Sequence, residues 1–457
     1  MNPAPASELL IRAVDADSTY VSFRWLDNPD HPIVHAIPAS TMRRLLARLD
    51  SALITTDADT EIDHPTGDAE GDAVRKALSG QFTRYWSEYT LSEAFARAIV
   101  PAQIMTEIGD RARHGRISIR VTPSRSLARV PLELLVIDDD QRLIELADVV
   151  YEPPAALHLG RARTPEPWTG AVPQRPVLYL VDPRLPAGSG LRQVLATSSS
   201  RGLATTGGST NEGLFRDRIV RHPTTDLSGI GRAVSRWDLS EELNESRPSR
   251  LFYFGHVSST VDQPGSAAIH MYDDEQVWGL AASVNRAHRP LTALDLLLGT
   301  ANPEVGPEDA DPVRDRRSGH QWWPMPPRVA VIACEGGVDY RSSETFGLLV
   351  AMFGGGAQIV TTTRWTLPSD AAFDRFAGVT AVPGPTTELA LAVDDTHTTS
   401  DPSAALAEWQ RTKLQQWRDT PGPATSPLTW AAVGTHVCGY RPVTAGAASA
   451  SRGRPSS

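Results

Sequence analysis

The chain has 457 residues, 40% of them hydrophobic and 21% charged, and a formal net charge of −10, which is typical of a globular protein of roughly two to three domains. The acidic balance argues against nucleic acid as the main partner, and no apolar run approaches the roughly 20 residues of a membrane span. The N-terminus lacks the pattern of a signal peptide, and the two cysteines, Cys334 and Cys438, suit a reducing cytoplasm better than a disulfide framework.

The first part of the chain predicts a small α+β unit, residues 1–75. Leu9–Val14 and Tyr20–Trp25 are rich in β-branched, aromatic and apolar residues, which favours strands, and an amphipathic helical pattern follows them. The polar, acidic stretch Thr55–Asp72 then indicates a linker.

The region beyond residue 176 has a different hydrophobic pattern, with four short apolar runs separated by helical segments. Because these runs do not alternate with polar residues, they predict strands that are buried on both faces, as in a parallel sheet. Strands that alternate with helices indicate an α/β fold with right-handed crossovers. The four runs are Val177–Val181, Leu251–Phe254, Val329–Ala333 and Gln358–Thr362.

Two of these predicted strands are followed directly by residues that can do chemistry. Gly255 and His256 follow one run, and Cys334, Glu335 and two glycines follow another. Open α/β sheets place their sites beyond the carboxyl ends of strands, so an imidazole and a thiol would share one cleft if the strands are neighbours. A nucleophile with an adjacent general base would result. Taken singly, a cysteine at a strand end is more often a small buried apolar residue, and a histidine is more often structural.

Other motifs fail on position or are missing. Gly354, Gly355 and Gly356 look like a phosphate loop, but they follow a predicted helix and precede a strand, which is the reverse of the required order. The sequence contains no H-E-x-x-H, C-x-x-C or G-x-S-x-G, so neither a zinc site nor a serine nucleophile elbow is expected. The arginines between Arg111 and Arg129 are best interpreted as a solvated face.

Seven segments in the same order resemble the CHAT family, bacterial cysteine peptidases related to caspases and separase. The similarity covers about residues 115–440, and we expect it to start near residue 80. The segments are VPLELLVIDDDQRLIEL, VLYLVDPRLP, LFYFGH, LTALDLL, VAVIACEGG, GLLVAMFGGGAQIVTTTRWTLPSD and SPLTWAAVGTHVCG. In the first of them Leu132 stands where the family usually has an aromatic residue.

The resemblance implies a caspase-like three-layer fold with a mostly parallel sheet flanked by helices, spanning residues 76–440, before a disordered tail at 441–457. It also implies a cysteine endopeptidase that needs no cofactor or metal. Cys334 carries over as the nucleophile and His256 as the base. The backbone N–H groups of Val257 and Cys334 carry over as the oxyanion hole.

Three residues are candidates for substrate binding. Trp365 lies just past the predicted strand Gln358–Thr363, which should neighbour the cysteine strand, so it is expected to form an aromatic wall beside the cleft. Glu335 and Asp339 are the acidic residues nearest to Cys334 and would favour arginine or lysine at the P1 position.

One departure from the family pattern leaves a second function open. The residue after the histidine is usually glycine, whereas here it is Val257, and a β-branched residue strongly disfavours positive φ. If the oxyanion hole requires that conformation, the chain would instead be a catalytically inactive interaction module with the same fold.

The family's biology suggests a cytoplasmic effector in a bacterial defence or programmed-death system. We expect a latent protease, switched on by a separate activator that docks on residues 1–75, the part outside the resemblance. The segments predicted to be mobile next to the dyad are Val257–Ser266 and residues 301–319. The expected partners are thus a protein substrate and an activator, with no nucleic acid and no membrane.

Overall fold

The computed structural model describes residues 7–54, 67–154, 157, 160–195, 210–259, 265–284, 287–300, 317–334 and 345–438. Its strands are β1 (Glu8–Asp15), β2 (Ser18–Trp25), β3 (Ile33–Pro38), β4 (Ile117–Thr122), β5 (Val136–Asp138), β6 (Gln141–Arg142), β7 (Ala147–Tyr151), β8 (Val177–Val181), β9 (Gly229–Ile230), β10 (Arg250–Ser258), β11 (Ala268–Ile269), β12 (Leu291–Thr292), β13 (Arg328–Cys334), β14 (Ile359–Thr363) and β15 (Val433–Val437).

The helices in this part of the chain surround those strands. They are α1 (Ala39–Asp50), α2 (Gly67–Leu78), α3 (Tyr85–Ile99), α4 (Ala102–Ala112), α5 (Arg125–Ala128), α6 (Leu143–Leu146), α7 (Asn211–Arg221), α8 (Arg236–Glu245), α9 (Ala293–Leu298), α10 (Gly319–Trp322), α11 (Thr345–Gly354), α12 (Asp370–Ala377), α13 (Pro385–Thr396), α14 (Pro402–Asp419) and α15 (Pro427–Trp430).

The described strands form one large sheet, with β5 and β6 in a separate two-stranded ribbon. The order is β12-β11-β10-β13-β14-β15-β7-β4-β1-β2-β3, with β8 beside β10 and β9 beside β8. Strands β8, β10, β13 and β14 run parallel, β15 is antiparallel to β14, and β7, β4 and β1 are again parallel neighbours. The four apolar runs of the sequence are these central strands, so the predicted α/β fold with a mostly parallel sheet is confirmed.

The central strands are buried on both faces, as their unbroken apolar runs predict. In β10, Phe252 and Phe254 belong to one apolar cluster, and Leu251 and Tyr253 belong to another. The first cluster also contains residues of α7, α12, α13 and α14, and the second contains residues of α8 to α11. Helices therefore cover both faces of the sheet, which gives three layers.

The N-terminal strands continue this sheet. Strand β1 pairs in parallel with β4, and β2 and β3 extend the sheet beyond it. Leu9 and Trp25 lie in the same apolar cluster as Trp417 of α14, so the sheet and its core run across the boundary predicted near residue 75. Helix α2 also begins at Gly67, inside the predicted linker, because Val74 and its neighbours contribute a buried apolar side.

Candidate active site

His256 and Cys334 occupy matching positions at the carboxyl ends of neighbouring strands. Strands β10 and β13 run parallel, and their register pairs His256 with Cys334 directly. Neighbouring strands lie about 4.8 Å apart, so the main chains of the two residues are as close as two strands allow. The strands that the sequence left as possible neighbours are therefore adjacent. The His256 side chain is buried, with 5% of its surface exposed.

A main-chain carbonyl determines which nitrogen of His256 carries the proton. Nε2 of His256 lies 2.5 Å from the carbonyl oxygen of Arg192. A carbonyl oxygen accepts but cannot donate, so Nε2 must be the protonated nitrogen that donates this hydrogen bond. In the neutral ring, Nδ1 is then the basic nitrogen. A neutral imidazole held in this way has its lone pair on Nδ1.

The loop that carries Arg192 is held by a buried aspartate at the end of β8. The Asp182 carboxylate accepts hydrogen bonds from the N–H groups of Val194 and Leu195, both at 2.9 Å. Asp182 itself has a φ of 47°, and its own N–H donates to the carbonyl of Phe254 in β10 at 2.6 Å. Burial raises the pKa of Asp182, while the two N–H groups and the nearby charge of His256 act to lower it. Asp182 therefore ties the loop to the strand that bears the histidine.

Gly255 is needed immediately before His256 because a side chain has no room there. A Cβ at this position would lie 2.9 Å from the hydroxyl of Tyr253 and 3.2 Å from Cδ of Pro183. The Tyr253 hydroxyl donates to the carbonyl of His256 at 2.7 Å and contacts the carbonyl of His270 at 2.9 Å. The Gly-His pair of the sequence thus makes room for the tyrosine that fixes the peptide of the histidine.

Two further buried histidines, His270 and then His288, lie next to His256. The ring of His270 lies edge-on to that of His256, with centroids 6.5 Å apart, and its Nδ1 lies 3.0 Å from Nε2 of His288. Nδ1 of His288 donates to the carbonyl of Asp273 at 2.7 Å, so its Nε2 accepts from His270 when both rings are neutral. Burial is the main cause that lowers the pKa of His270, and the charges of His288 and His256 lower it further. Burial also lowers the pKa of His288, where Arg236 and His256 add to it and the hydrogen bond to the Asp273 carbonyl opposes it. Both rings are therefore less basic than an ordinary histidine side chain.

The residue that accepts the hydrogen bond of His288, Asp273, belongs to a buried network of ion pairs. Arg236 is fully buried, and its guanidinium lies 3.3 Å from the Asp273 carboxylate and 3.5 Å from that of Asp295. The guanidinium also donates to the carbonyls of Trp278, Arg289 and Pro290. A buried charge with this many partners is costly to displace. Arg236 therefore holds Asp273, and with it His288, in a fixed position.

Val257 continues strand β10 beyond the histidine. It pairs with Ile269 of β11, and its buried side chain lies in an apolar cluster. Among the described non-glycine residues, positive φ occurs at Asp139, Asp182 and Arg247, so Val257 keeps the extended conformation that valine favours. The positive φ that would have strained a valine is not adopted here.

The structure places Trp365 in the core instead of on an open wall. The residue is 2% exposed, its indole N–H donates to the carbonyl of Leu428 at 2.8 Å, and its ring packs against Phe82. The strand before it does neighbour β13, as expected, but the indole is covered by N-terminal and C-terminal elements that the local sequence does not reveal. Glu335 and Asp339 lie outside the described residues.

Asp182, His270 and His288 also belong to this site and were not predicted from the sequence. The Asp-Pro pair after the first central strand was a visible signal for Asp182, whereas the two histidines lie in an irregular stretch without a repeating pattern. The described residues contain no group of three or more His, Cys, Asp or Glu side chains that could hold a metal ion. None of the described helices is long and apolar enough to cross a membrane.

The chain resembles known proteins in its three-dimensional structure. No protein-family model matches the chain, and no curated protein sequence matches it. The chain is similar to Saccharomyces cerevisiae separase in two crystal structures of the separase–securin complex, at 3.0 and 2.6 Å, with TM-scores of 0.45 and 0.39 and 10% identity in each. The match covers 94% of this chain and 30% of the separase chain in both cases.

Proposed function

We propose that the chain is a caspase-like cysteine endopeptidase in which Cys334 is the nucleophile and His256 the general base. The observation that carries this proposal is the direct register pairing of the two residues at the ends of β10 and β13. The hydrogen bond from Nε2 of His256 to the Arg192 carbonyl supports it, because that bond leaves Nδ1 as the base.

The proposed reaction has two steps. His256 takes the thiol proton of Cys334 on Nδ1, and the thiolate attacks the carbonyl carbon of the scissile peptide bond. The imidazolium returns the proton to the leaving amine as the C–N bond breaks, and water then hydrolyses the thioester with the same histidine as base. The N–H groups of Val257 and Cys334 are proposed to stabilise the oxyanion.

The finer assignment to the CHAT family, with a role in bacterial defence or programmed death, is part of the same proposal. It is supported by the seven sequence segments in family order. A latent resting state and a separate protein activator belong to it as well. The proposed preference for arginine or lysine at P1 depends on Glu335 and Asp339, and a digest with equal cleavage after apolar and basic residues would remove it.

Thiol reactivity offers an internal control. The buried thiol of Cys438 lies 2.8 Å from the guanidinium of Arg161, and burial raises its pKa. We expect iodoacetamide to alkylate Cys334 much faster than Cys438, with the rate falling in His256→Ala. Equal slow labelling of both cysteines would favour the inactive interaction module.

Proteolysis itself is tested with a peptide library, with and without the candidate activator. Cys334→Ala and His256→Ala should each abolish cleavage while the far-UV spectrum stays unchanged. Normal cleavage by Cys334→Ala would exclude the proposed mechanism.

A further inference from the structure

A cavity lies at the opposite end of the central sheet from His256 and Cys334. It encloses about 270 Å³ and is lined partly by Pro248, two residues before β10, and by Pro327, just before β13. Strand β13 has seven residues, so the cavity and the candidate active site lie about 20 Å apart along the same two strands. The cavity is therefore a separate site.

The charged residues of this cavity are mostly positive. Three arginines, Arg163, Arg175 and Arg247, line it together with one carboxylate, that of Glu166. Arg175 donates two hydrogen bonds to Glu166, at 2.6 and 2.5 Å, so this pair is already neutralised. Arg247 lies 3.9 Å from the same carboxylate. A cationic surplus from Arg163 and Arg247 remains, in a chain whose net charge is −10.

Both of these arginines are associated with a residue whose φ is positive. Arg247 has a φ of 45° just after the C-cap of α8, a position where glycine is the ordinary residue. The stem of Arg163 lies against Gly356, whose φ is 117°, and a Cβ there would be 3.1 Å from Cδ of Arg163. Non-glycine residues with positive φ concentrate at functional sites, because surrounding structure must hold them there.

We propose that this cavity binds a compact anionic ligand that carries phosphate groups or paired carboxylates. Guanidinium groups present forked N–H donors that match the oxygens of both chemistries. The neutralised Arg175–Glu166 pair forms a fixed wall, and Arg163 and Arg247 supply the charge. The prolines around Met325 give the cavity rigid, apolar sides that suit a small organic ligand.

The experiment measures binding calorimetrically in the full chain carrying Cys334→Ala, so that the result does not depend on proteolysis. Inorganic pyrophosphate and citrate are the probes, at an ionic strength matched with chloride. We expect saturable binding of at least one probe at millimolar concentration or below, and which probe binds more tightly separates phosphate from carboxylate. The absence of saturable binding with both probes would overturn the proposal.

Variants separate binding from folding. Arg247→Gly suits the positive φ, so it should keep or raise the unfolding midpoint while weakening binding at least tenfold. Arg163→Gln should weaken binding similarly. Arg216→Gln removes an arginine whose side chain is 67% exposed on α7, and it should leave binding unchanged. If Arg247→Gly and Arg163→Gln bind the probe as tightly as Arg216→Gln and the parent chain do, these arginines do not contact the ligand and the proposal is refuted.

Discussion

The carbonyl oxygen of Arg192 lies 2.5 Å from Nε2 of His256, and this contact determines which imidazole nitrogen can act as a base. Because the contact is made by the main chain, it does not depend on which side chain residue 192 carries. It depends on the position of the loop that contains Arg192. Asp182 holds that loop through the N–H groups of Val194 and Leu195. Asp182 is therefore a positioning residue for His256.

Asp182→Asn should lower kcat/KM about 10- to 100-fold, because a misplaced base is inefficient. Asparagine tolerates positive φ nearly as well as aspartate, so the change tests the carboxylate, which alone can accept from both N–H groups on separate oxygens. The measurement is the pH profile of kcat/KM on a peptide substrate, whose acidic limb should move because protonation of His256 removes the base. The same change at Asp217, an exposed residue of α7, is the control, and identical profiles for both variants would contradict the positioning role.

Gly255→Ala should destabilise the fold by about 1–3 kcal/mol, because the new methyl group would lie 2.9 Å from the Tyr253 hydroxyl. Chemical unfolding measures the effect. Combining it with Tyr253→Phe removes the closest contact, so the two losses should sum to more than the loss in the double variant. Gly109→Ala is the control, since a Cβ at that helical position meets nothing within 4 Å and should be neutral or stabilising. Additive losses in the double variant would show that the hydroxyl is not the obstacle.

Stability should fall as the pH drops below about 6.5, because several buried histidines must gain protons on unfolding. Burial, and then the charge of Arg364, lowers the pKa of His436 to about 3, and the pKa values of His270 and His397 also lie well below the ordinary value. A folded-state pKa below that of the unfolded chain means that the unfolded state binds more protons between the two values. Each such histidine then contributes a slope of up to about 1.4 kcal/mol per pH unit.

The change His436→Phe isolates one of these contributions while keeping an aromatic ring beside Tyr151, whose ring lies 5.3 Å from that of His436. Urea unfolding at pH 7.5, 6.5 and 5.5 gives the slope. We expect the variant to lose stability less steeply than the parent, by about one proton. The same slope in both chains would mean that His436 does not titrate on unfolding.

Much of the fold followed from the sequence because the central strands are buried on both faces. Val177–Val181 and Val329–Ala333 need no alternation to be recognised as parallel strands, and each coincides with an observed strand to within two residues. The register that pairs His256 with Cys334 could not be predicted, because strand order depends on crossovers that the local pattern does not specify. The Arg192 contact was also hidden, since a main-chain carbonyl leaves no trace in side-chain chemistry.

One buried ion pair links two segments that are distant in the sequence. Glu133, in the first segment of the resemblance, receives a hydrogen bond of 2.6 Å from Arg364, which directly precedes Trp365 in the sixth segment. Both side chains are almost fully buried, and the guanidinium lies over the ring of Tyr151. Removing one partner would leave an unpaired buried charge at a cost of about 3–5 kcal/mol, so the two segments must be kept together.

The N-terminal strands give the last prediction, which concerns the proposed activator. Deleting residues 1–75 would remove β1–β3 and uncover β4, whose Ile119 pairs with Leu9 of β1 in the same apolar cluster. We therefore expect an insoluble product, which cannot test docking. Point changes on the outer face of these strands avoid the problem. Val14 and Val34 are each 64% exposed, and replacing both with serine should change the unfolding free energy by less than about 1 kcal/mol.

If the activator docks on this face, Val14→Ser with Val34→Ser should raise the activator concentration needed for half-activation, while the small activity of the untreated chain stays the same. Val220→Ser is the matched control, because that valine is 79% exposed on α7, outside the N-terminal unit. Activator-dependent peptide cleavage, measured over a range of activator concentrations, distinguishes weaker docking from a slower enzyme: weaker docking raises the concentration needed for half-activation and leaves the plateau unchanged. An unaltered titration would place docking elsewhere, and full peptidase activity without any activator would defeat the latent state, because a restrained enzyme cannot cleave at its maximal rate before it is released.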